Sequence, residues 1–224
     1  MNKLLKIFVI FSFAIVSVIL IYNRFNTVEN EVLSIGDSLS MGKTPFNSYD
    51  KSYNYYLSRS INSYYNDSIS YNNLTYAELY RKIYYDETVY NKGEFVNIKN
   101  AIGKADIIIM TANNNITFKK CEKNNRIFIE YLDETFNTIT KIVDQIKNIR
   151  DIKIIILTPY CYTYNEEINK YIDNYYVYNN VVFINLYKLI HKKYYYVPNK
   201  YNPYPSLEGY NYIYNEIRKE MQIN

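Results

Sequence analysis

The sequence of 224 residues contains no tryptophan, one histidine, five glycines, five prolines and two cysteines. So little glycine and proline excludes collagen-like repeats and Gly/Pro-rich linkers. The two cysteines, Cys121 and Cys161, are not arranged as CxxC, which excludes a thiolate cluster for zinc or iron–sulfur. The single histidine, His191, limits every mechanism that needs an imidazole.

A strong charge of one sign is also missing, since 26 Lys and Arg face 22 Asp and Glu and the formal net charge is +4. So small and evenly spread a charge does not indicate a nucleic-acid partner. Hydrophobic residues make up 48%, which excludes a disordered chain. Tyrosine is abundant, with 30 copies. We interpret most of them as half-buried packing residues with a wet hydroxyl, and sugar stacking by some is the alternative.

Residues 1–30 are predicted to be a targeting segment. Lys3 and Lys6 precede an apolar run of sixteen residues, 7–22, and Arg24 follows it. No small-residue cleavage site or cysteine follows the run, which excludes a lipoprotein anchor and favours an uncleaved signal-anchor over a cleaved signal peptide. The positive-inside bias then predicts a single-pass cell-membrane protein with an extracellular domain. A buried N-terminal helix of a soluble protein is the remaining alternative.

An exported domain allows a disulfide. Cys121 lies in a loop region after one predicted strand, and Cys161 lies three residues after another. The two cysteines can form a bridge if these strands are neighbours. Two free buried thiols are the alternative.

Residues 31–224 are predicted to form one domain in which short apolar runs alternate with helical patterns. The predicted strands are 32–35, 68–71, 107–111, 153–158 and 181–185, and the predicted helices are 53–65, 126–149, 166–178, 186–193 and 207–221. This alternation predicts an α/β fold with three α/β/α layers around a parallel five-stranded sheet. In such sheets the functional site lies outside the carboxyl ends of the strands.

The sequence Gly-Asp-Ser-Leu at 36–39 follows the first predicted strand directly. Gly36 allows a tight turn that presents Ser38 above the sheet edge, where nearby helix-start amides can hold negative charge. Ser and Asp also cap helices without any chemistry, which is the alternative reading of this motif. Three successive asparagines, Asn113 to Asn115, follow another buried strand and could likewise be a plain loop.

These motifs resemble the blocks of the SGNH/GDSL family of serine hydrolases, and the resemblance extends from Val32 to the end of the chain. It implies the flavodoxin-like fold of that family, with Ser38 as the nucleophile. The family's second block carries a glycine whose amide helps to form the oxyanion hole, and Asn73 stands in its place. Asn114 matches the third-block asparagine whose side chain donates to the oxyanion. The implied oxyanion hole therefore consists of Ser38, Asn73 and Asn114.

The family's last block is kept as Pro-Ser-x-x-Gly-Tyr at 205–210. That register places Tyr204 where the resemblance requires the catalytic His, and it leaves Tyr201 or Asn202 where an Asp belongs. A serine hydroxyl is a poor nucleophile unless a base takes its proton. A tyrosine, with a reference pKa near ~10, is almost wholly protonated at neutral pH.

Three groups are candidates to replace the missing base. His191 is more typical of a surface or packing histidine, Glu208 is expected to point along its helix, and a Tyr204 phenolate would need support from Lys200. We adopt none of them. The sequence therefore predicts an impaired ester hydrolase acting on small-molecule, lipid or cell-wall glycan esters. The alternative is an inactive binding module for an acyl or glycan ligand at the cell surface. Neither requires a metal or an organic cofactor.

Overall fold

The structure is a computed structural model that describes residues 31–60, 69–70, 73–91, 93–122, 124–175, 179–190 and 204–221. The predicted targeting segment, His191 and Asn202 lie outside these residues. The strands are β1 Val32–Gly36, β2 Ile69–Ser70, β3 Thr88–Asn91, β4 Glu94–Asn97, β5 Ile107–Met110, β6 Lys153–Leu157 and β7 Val181–Ile184. The helices are α1 Tyr53–Ser60, α2 Tyr76–Tyr84, α3 Ile98–Lys104, α4 Asn114–Cys121, α5 Asn125–Ile149, α6 Asn165–Asp173, α7 Leu186–Ile190 and α8 Leu207–Met221.

Five strands form a sheet in the order β2-β1-β5-β6-β7, and every neighbouring pair is parallel. This confirms the predicted α/β fold. Counted along the chain, the order is 2-1-3-4-5, as in flavodoxin-like doubly wound sheets, so the strand order reverses between β1 and β5. Loops leaving the carboxyl ends of these two strands diverge to opposite sides of the sheet. They leave a crevice there, and the Ser38 and Asn114 loops both begin at it.

Two cores cover the two faces of this sheet. On one face, Leu33 and Ile108 pack with buried residues of α2, α3 and α5. On the other face, Val32 and Ile109 pack with buried residues of α1, α7 and α8. Each central strand is therefore apolar on both faces, which explains why these segments are continuous apolar runs instead of alternating patterns.

The helix α5 shows how the sequence sets this packing. Apolar residues recur every three or four positions and face the sheet, and Asn124 caps the start by accepting a hydrogen bond from the Ile127 N–H. The prediction for 126–149 is confirmed to within one residue. Within the described residues, no helix combines the length and apolarity needed to cross a bilayer. The predicted anchor at 1–30 lies outside the described residues and stays a prediction.

The structure adds elements that the sequence analysis did not predict: the helices α2, α3 and α4 and the antiparallel hairpin of β3 and β4. It also corrects the position of Cys121, which is the last residue of α4 and not part of a loop. Cys121 and Cys161 form a disulfide with Cα atoms 5.9 Å apart. Their strands, β5 and β6, are neighbours as the bridge requires.

Candidate active site

The turn after β1 is built around a close approach at Gly36. A Cβ atom on this residue would lie 2.5 Å from Ser40 Cβ and 2.7 Å from Thr111 Cγ2, so only glycine fits. The chain then turns sharply, and Met41 N–H donates to the Asp37 carbonyl over 3.2 Å. Ser38 follows the strand directly and is 2% exposed.

The Asp37 carboxylate lies in the crevice between β1 and β5 and is buried. Leu39 N–H donates to Oδ1 over 3.0 Å, and Asn114 N–H donates to Oδ2 over 2.9 Å. Burial raises the pKa of Asp37 above its ordinary value, while the hydrogen bonds from Asn114 and Leu39 act in the opposite direction. These bonds tie the turn that carries Ser38 to the start of α4.

Asn114 is the first residue of α4, and its side-chain amide is fully engaged. Its Nδ2 donates to both carboxylate oxygens of Asp37, over 2.9 and 3.0 Å, and to Thr111 Oγ1 over 2.9 Å. An amide nitrogen carries two hydrogens, and both have acceptors here. The structure thus brings Asn114 to the residue beside Ser38, as expected. Donation to an oxyanion would require one of these hydrogen bonds to be exchanged, so that role stays a prediction.

Asn113 joins three parts of the site. Its backbone is left-handed, with φ of 63°, and its N–H donates to the Leu74 carbonyl over 3.0 Å. Its Oδ1 accepts from the N–H of Tyr76 over 3.0 Å, and its Nδ2 donates to Thr135 Oγ1 over 3.4 Å. The residue therefore fixes the end of β5 against the start of α2 and the middle of α5.

Asn73, which stands in the family's glycine position, also has a positive φ, of 98°. Asparagine adopts this conformation at lower cost than other residues with a Cβ atom, which is why it can replace glycine there. Its Oδ1 accepts from Asn115 Nδ2 over 3.3 Å. The left-handed backbone agrees with the expectation, and the oxyanion role of the Asn73 amide stays a prediction.

Tyr204 lies beside Ser38. Tyr204 is 3% exposed, and burial raises its pKa to about 12, although the nearby Ser38 hydroxyl acts to lower it. The Lys43 ammonium lies over the Tyr204 ring, 4.8 Å from its centroid. The direction of the pKa shift disfavours the phenolate considered from the sequence.

The start of α8 holds this tyrosine in place. Ser206 Oγ accepts from the Gly209 N–H over 3.2 Å, and the buried Tyr210 hydroxyl donates to the Lys43 carbonyl over 2.7 Å. These contacts explain why Pro-Ser-x-x-Gly-Tyr is retained: it fastens the last helix to the turn that follows β1. Glu208 is exposed on the same helix.

Three residues of this site were missed by the sequence analysis: Asp37, Asn113 and Lys43. Asp37 was present in the Gly-Asp-Ser motif but was treated only as part of the turn. Asn113 belongs to the run of three asparagines, and nothing in the sequence of that run shows that Asn113 makes more contacts than its neighbours. Lys43 carries no local sequence signal, because its contact with Tyr204 depends on the position of α8. Within the described ranges, no group of three or more His, Cys, Asp or Glu could hold a metal ion.

Several solved structures resemble this chain. One is a lipase from a goat rumen metagenome, with a TM-score of 0.63, 17% identity, and coverage of 86% of this chain and 97% of that chain. The chain has the fold of the SGNH/GDSL hydrolases. A member of the lipolytic G-D-S-L family from Veillonella parvula matches with a TM-score of 0.57, 13% identity, and coverage of 87% and 99%.

A third similar structure is a carbohydrate esterase whose active site is described as displaying divergent catalytic and non-catalytic binding functions. It matches with a TM-score of 0.58, 12% identity, and coverage of 88% of this chain and 69% of that chain. No protein-family model and no curated protein sequence matches this chain. At these identities the similarity establishes the SGNH fold, and the chemistry must be argued from the site.

Proposed function

We propose that this protein is an SGNH-type ester hydrolase with a low turnover rate, acting on acyl esters of lipid or cell-wall glycan. In the proposed reaction, Ser38 Oγ attacks the ester carbonyl, the alcohol leaves, and water then releases the acid from the acyl-serine. The backbone amides near Ser38 and Asn73 and the Asn114 side chain are the proposed oxyanion donors. The fold shared with lipases and esterases supports this class of reaction.

The observation that carries the proposal is the position of Tyr204 beside Ser38, where the family resemblance requires a histidine. Ser38 thus has the position of the family's nucleophile, and the Tyr204 side chain lies against its hydroxyl. A phenol with a pKa of about 12 is ionised only to about one part in 10⁵ at pH 7. General-base assistance contributes roughly 10²–10⁴-fold, so its lack accounts for a low rate without removing the oxyanion contribution.

Labelling with a fluorophosphonate probe tests whether Ser38 is a nucleophile. We expect slow labelling of the full-length protein that is lost in Ser38→Ala and kept in Ser58→Ala, where an exposed serine of α1 is removed. Circular dichroism of each variant verifies that it is folded. If the folded protein shows no labelling that depends on Ser38, the hydrolase proposal is wrong.

A second experiment restores the missing base. The double variant Tyr204→His with Asn202→Asp should hydrolyse p-nitrophenyl acetate at least tenfold faster than the natural protein, within the range of base catalysis. Tyr90→His is the matched control, because it adds an imidazole at a 61% exposed position in β3, away from Ser38, and reports the background reaction of that group. Equal rates in the double variant and the control would contradict the assignment of Tyr204 to the histidine position.

A second candidate function is a binding module that retains the cleft for an acyl or glycan ligand without turnover. The engagement of both Asn114 amide hydrogens by Asp37 and Thr111 favours it, because no oxyanion donor is then ready at this side chain. This candidate predicts ligand affinity that survives Ser38→Ala. Turnover that disappears in the same variant would contradict it.

For location, we propose that residues 1–30 anchor the protein in the cell membrane with the domain outside. The apolar run at 7–22 and the preceding lysines support this. Carbonate-washed membranes should retain the full chain and release a chain that begins at Glu31. Recovery of the full chain in the soluble fraction would contradict the proposal.

A further inference from the structure

A cavity lies between the start of α2 and the middle of α5. Its volume is about 170 Å³, equivalent to roughly six water molecules at about 30 Å³ each. Neither Ser38 nor Tyr204 lines it. Asn113 does, and it is the residue before the Asn114 that bonds to Asp37, so the cavity adjoins the Ser38 site.

The polar wall of the cavity offers both donors and acceptors. The Thr75 hydroxyl oxygen accepts from the Glu78 N–H, which leaves its own proton available to a ligand. The Thr138 hydroxyl donates to the Glu134 carbonyl, which leaves its oxygen available as an acceptor. Thr135 lines the same wall and is 4% exposed. Such mixed polarity matches ligand hydroxyl groups, which donate and accept at once.

The charge and the apolar surface of the lining limit the class of ligand further. Glu134 is the one charged residue in the described lining, so the cavity disfavours anions and offers a carboxylate acceptor to neighbouring hydroxyls. Ile116, Ala77 and the Tyr131 side chain add apolar surface against which C–H groups can pack. A lipid tail would cover the remaining donor of Thr75 and the acceptors of Thr138 and Glu134 without bonding to them, which costs free energy.

We propose that this cavity binds one neutral pyranose ring of a glycan and so directs the Ser38 site to glycan-borne esters instead of lipid esters. The inference rests on the proposed function for the ester at Ser38, but the sugar site stands on its own lining residues. A pyranose of about twelve non-hydrogen atoms at roughly 0.3 kcal/mol per atom gives a Kd of about 2 mM.

Ligand-observed NMR with the full-length protein tests this inference, using N-acetylglucosamine and methyl β-glucoside as neutral probes and glucuronate as the anionic probe. We expect millimolar binding of a neutral sugar and at least tenfold weaker binding of glucuronate. The double variant Glu134→Gln with Thr138→Val should bind the neutral sugar at least tenfold more weakly than the natural protein does. In Glu134→Gln alone, the affinity for glucuronate should rise to within threefold of the affinity for the neutral sugar.

Glu130→Gln is the matched control, since Glu130 is exposed one turn earlier on α5 and does not line the cavity. It should leave sugar binding unchanged. If neither neutral sugar binds saturably, or if the double variant binds as the natural protein does, the inference is overturned. Fluorophosphonate labelling of Ser38 with no sugar binding would overturn this inference alone. Sugar binding without labelling of Ser38 would support the proposed sugar site and contradict the hydrolase proposal.

Discussion

The Tyr204 phenol lies beside the Ser38 hydroxyl at the carboxyl edge of the sheet, close enough for the hydroxyl to act on the pKa of the phenol. A phenol can fill the place of an imidazole and orient the serine, but burial raises its pKa to about 12 and keeps it protonated. Tyr204 therefore has the position of a general base but not the pKa of one.

Tyr204→Phe should change residual hydrolysis of p-nitrophenyl acetate by less than about threefold. A protonated phenol takes no proton from Ser38, so its removal costs orientation and not base catalysis, which is worth roughly 10²–10⁴-fold. The measurement is the initial rate at pH 7, with Ser38→Ala as the baseline. A hundredfold loss in Tyr204→Phe would identify the phenol as the working base and contradict this account of the site.

Alkaline pH should unfold the protein progressively from pH 10 upward. Burial raises the pKa values of Tyr76, Tyr204 and Tyr210 above their ordinary value near 10. Stability is then fully present below pH 10 and is lost as the pH rises, because the unfolded chain ionises first. Each such tyrosine steepens the loss by up to about 1.4 kcal/mol per pH unit.

Urea titrations between pH 9 and 12 measure this slope, and tyrosinate absorbance reports ionisation. Between pH 10 and 12, Tyr204→Phe should make the slope of unfolding free energy against pH shallower, because the variant lacks up to one proton that the native and unfolded states bind differently. Tyr85→Phe, at a 68% exposed position, is the matched control and should leave it unchanged. A slope that is identical in all three proteins would show that Tyr204 ionises equally in both states.

Asn113→Ala should cost about 2–4 kcal/mol of unfolding free energy. The change leaves the buried Tyr76 N–H without its acceptor, and alanine is strained at φ of 63°. Urea denaturation at pH 7 is the measurement. Asn115→Ala removes a neighbouring asparagine with only a 3.3 Å contact to Asn73 and should cost less than about 1 kcal/mol. Similar losses in both variants would argue against a special role for Asn113.

Gly36→Ala should destabilise the domain by about 1–3 kcal/mol or prevent its folding, because the added methyl overlaps Ser40 Cβ at 2.5 Å. Adding Ser40→Gly to this variant should recover part of the loss. Gly103→Ala is the control: its nearest neighbour would be 3.9 Å away, and a helical alanine adds up to about 1 kcal/mol. Thermal unfolding of the four proteins decides this; equal Tm values for the two alanine variants would refute the steric argument.

The disulfide should stabilise the domain by about 2–4 kcal/mol, since it closes a loop with a sequence separation of 40. Replacing both cysteines by serine should lower Tm by roughly 5–15 °C for a chain of this size. Titration of the denatured protein with a thiol reagent should find no free thiol unless it is first reduced. Two free thiols in protein purified under oxidising conditions would contradict the bridge.

The fold could be predicted because its central strands are continuous apolar runs and its long helix has strong periodicity. The predicted strand ends lie within one residue of the observed ends. The helix predicted at 166–178 is wrong at its end, because the observed helix is Asn165–Asp173 and a turn follows it. The elements α2 to α4 and the hairpin of β3 and β4 were missed. They are short, and tertiary contacts such as Asn113 to Tyr76 help to determine where they start. The helix α2 did carry a signal that was overlooked: its apolar residues have helical spacing, and Thr75 caps its start by accepting from the Glu78 N–H.

The site was predictable where a motif fixes the backbone. The Gly-Asp-Ser turn and the Pro-Ser-x-x-Gly-Tyr helix start placed Ser38 and Tyr204 near one strand edge, and the structure brings the two side chains together. The sequence could not show that Asp37 would take both amide hydrogens of Asn114 together with Thr111. That outcome depends on contacts between residues far apart in the chain, for which a single sequence holds no signal.

The hydrogen bond between Asp37 and Asn114 spans 77 positions of the polypeptide. At a synthesis rate of roughly 5–20 residues per second, the carboxylate waits about 4–15 s before its partner leaves the ribosome. Until then β1 can pair only with β2, and its other edge stands open beside a solvated acid. The candidate active site is therefore among the last regions of the chain to form, since it also needs Tyr204 from near the end of the sequence.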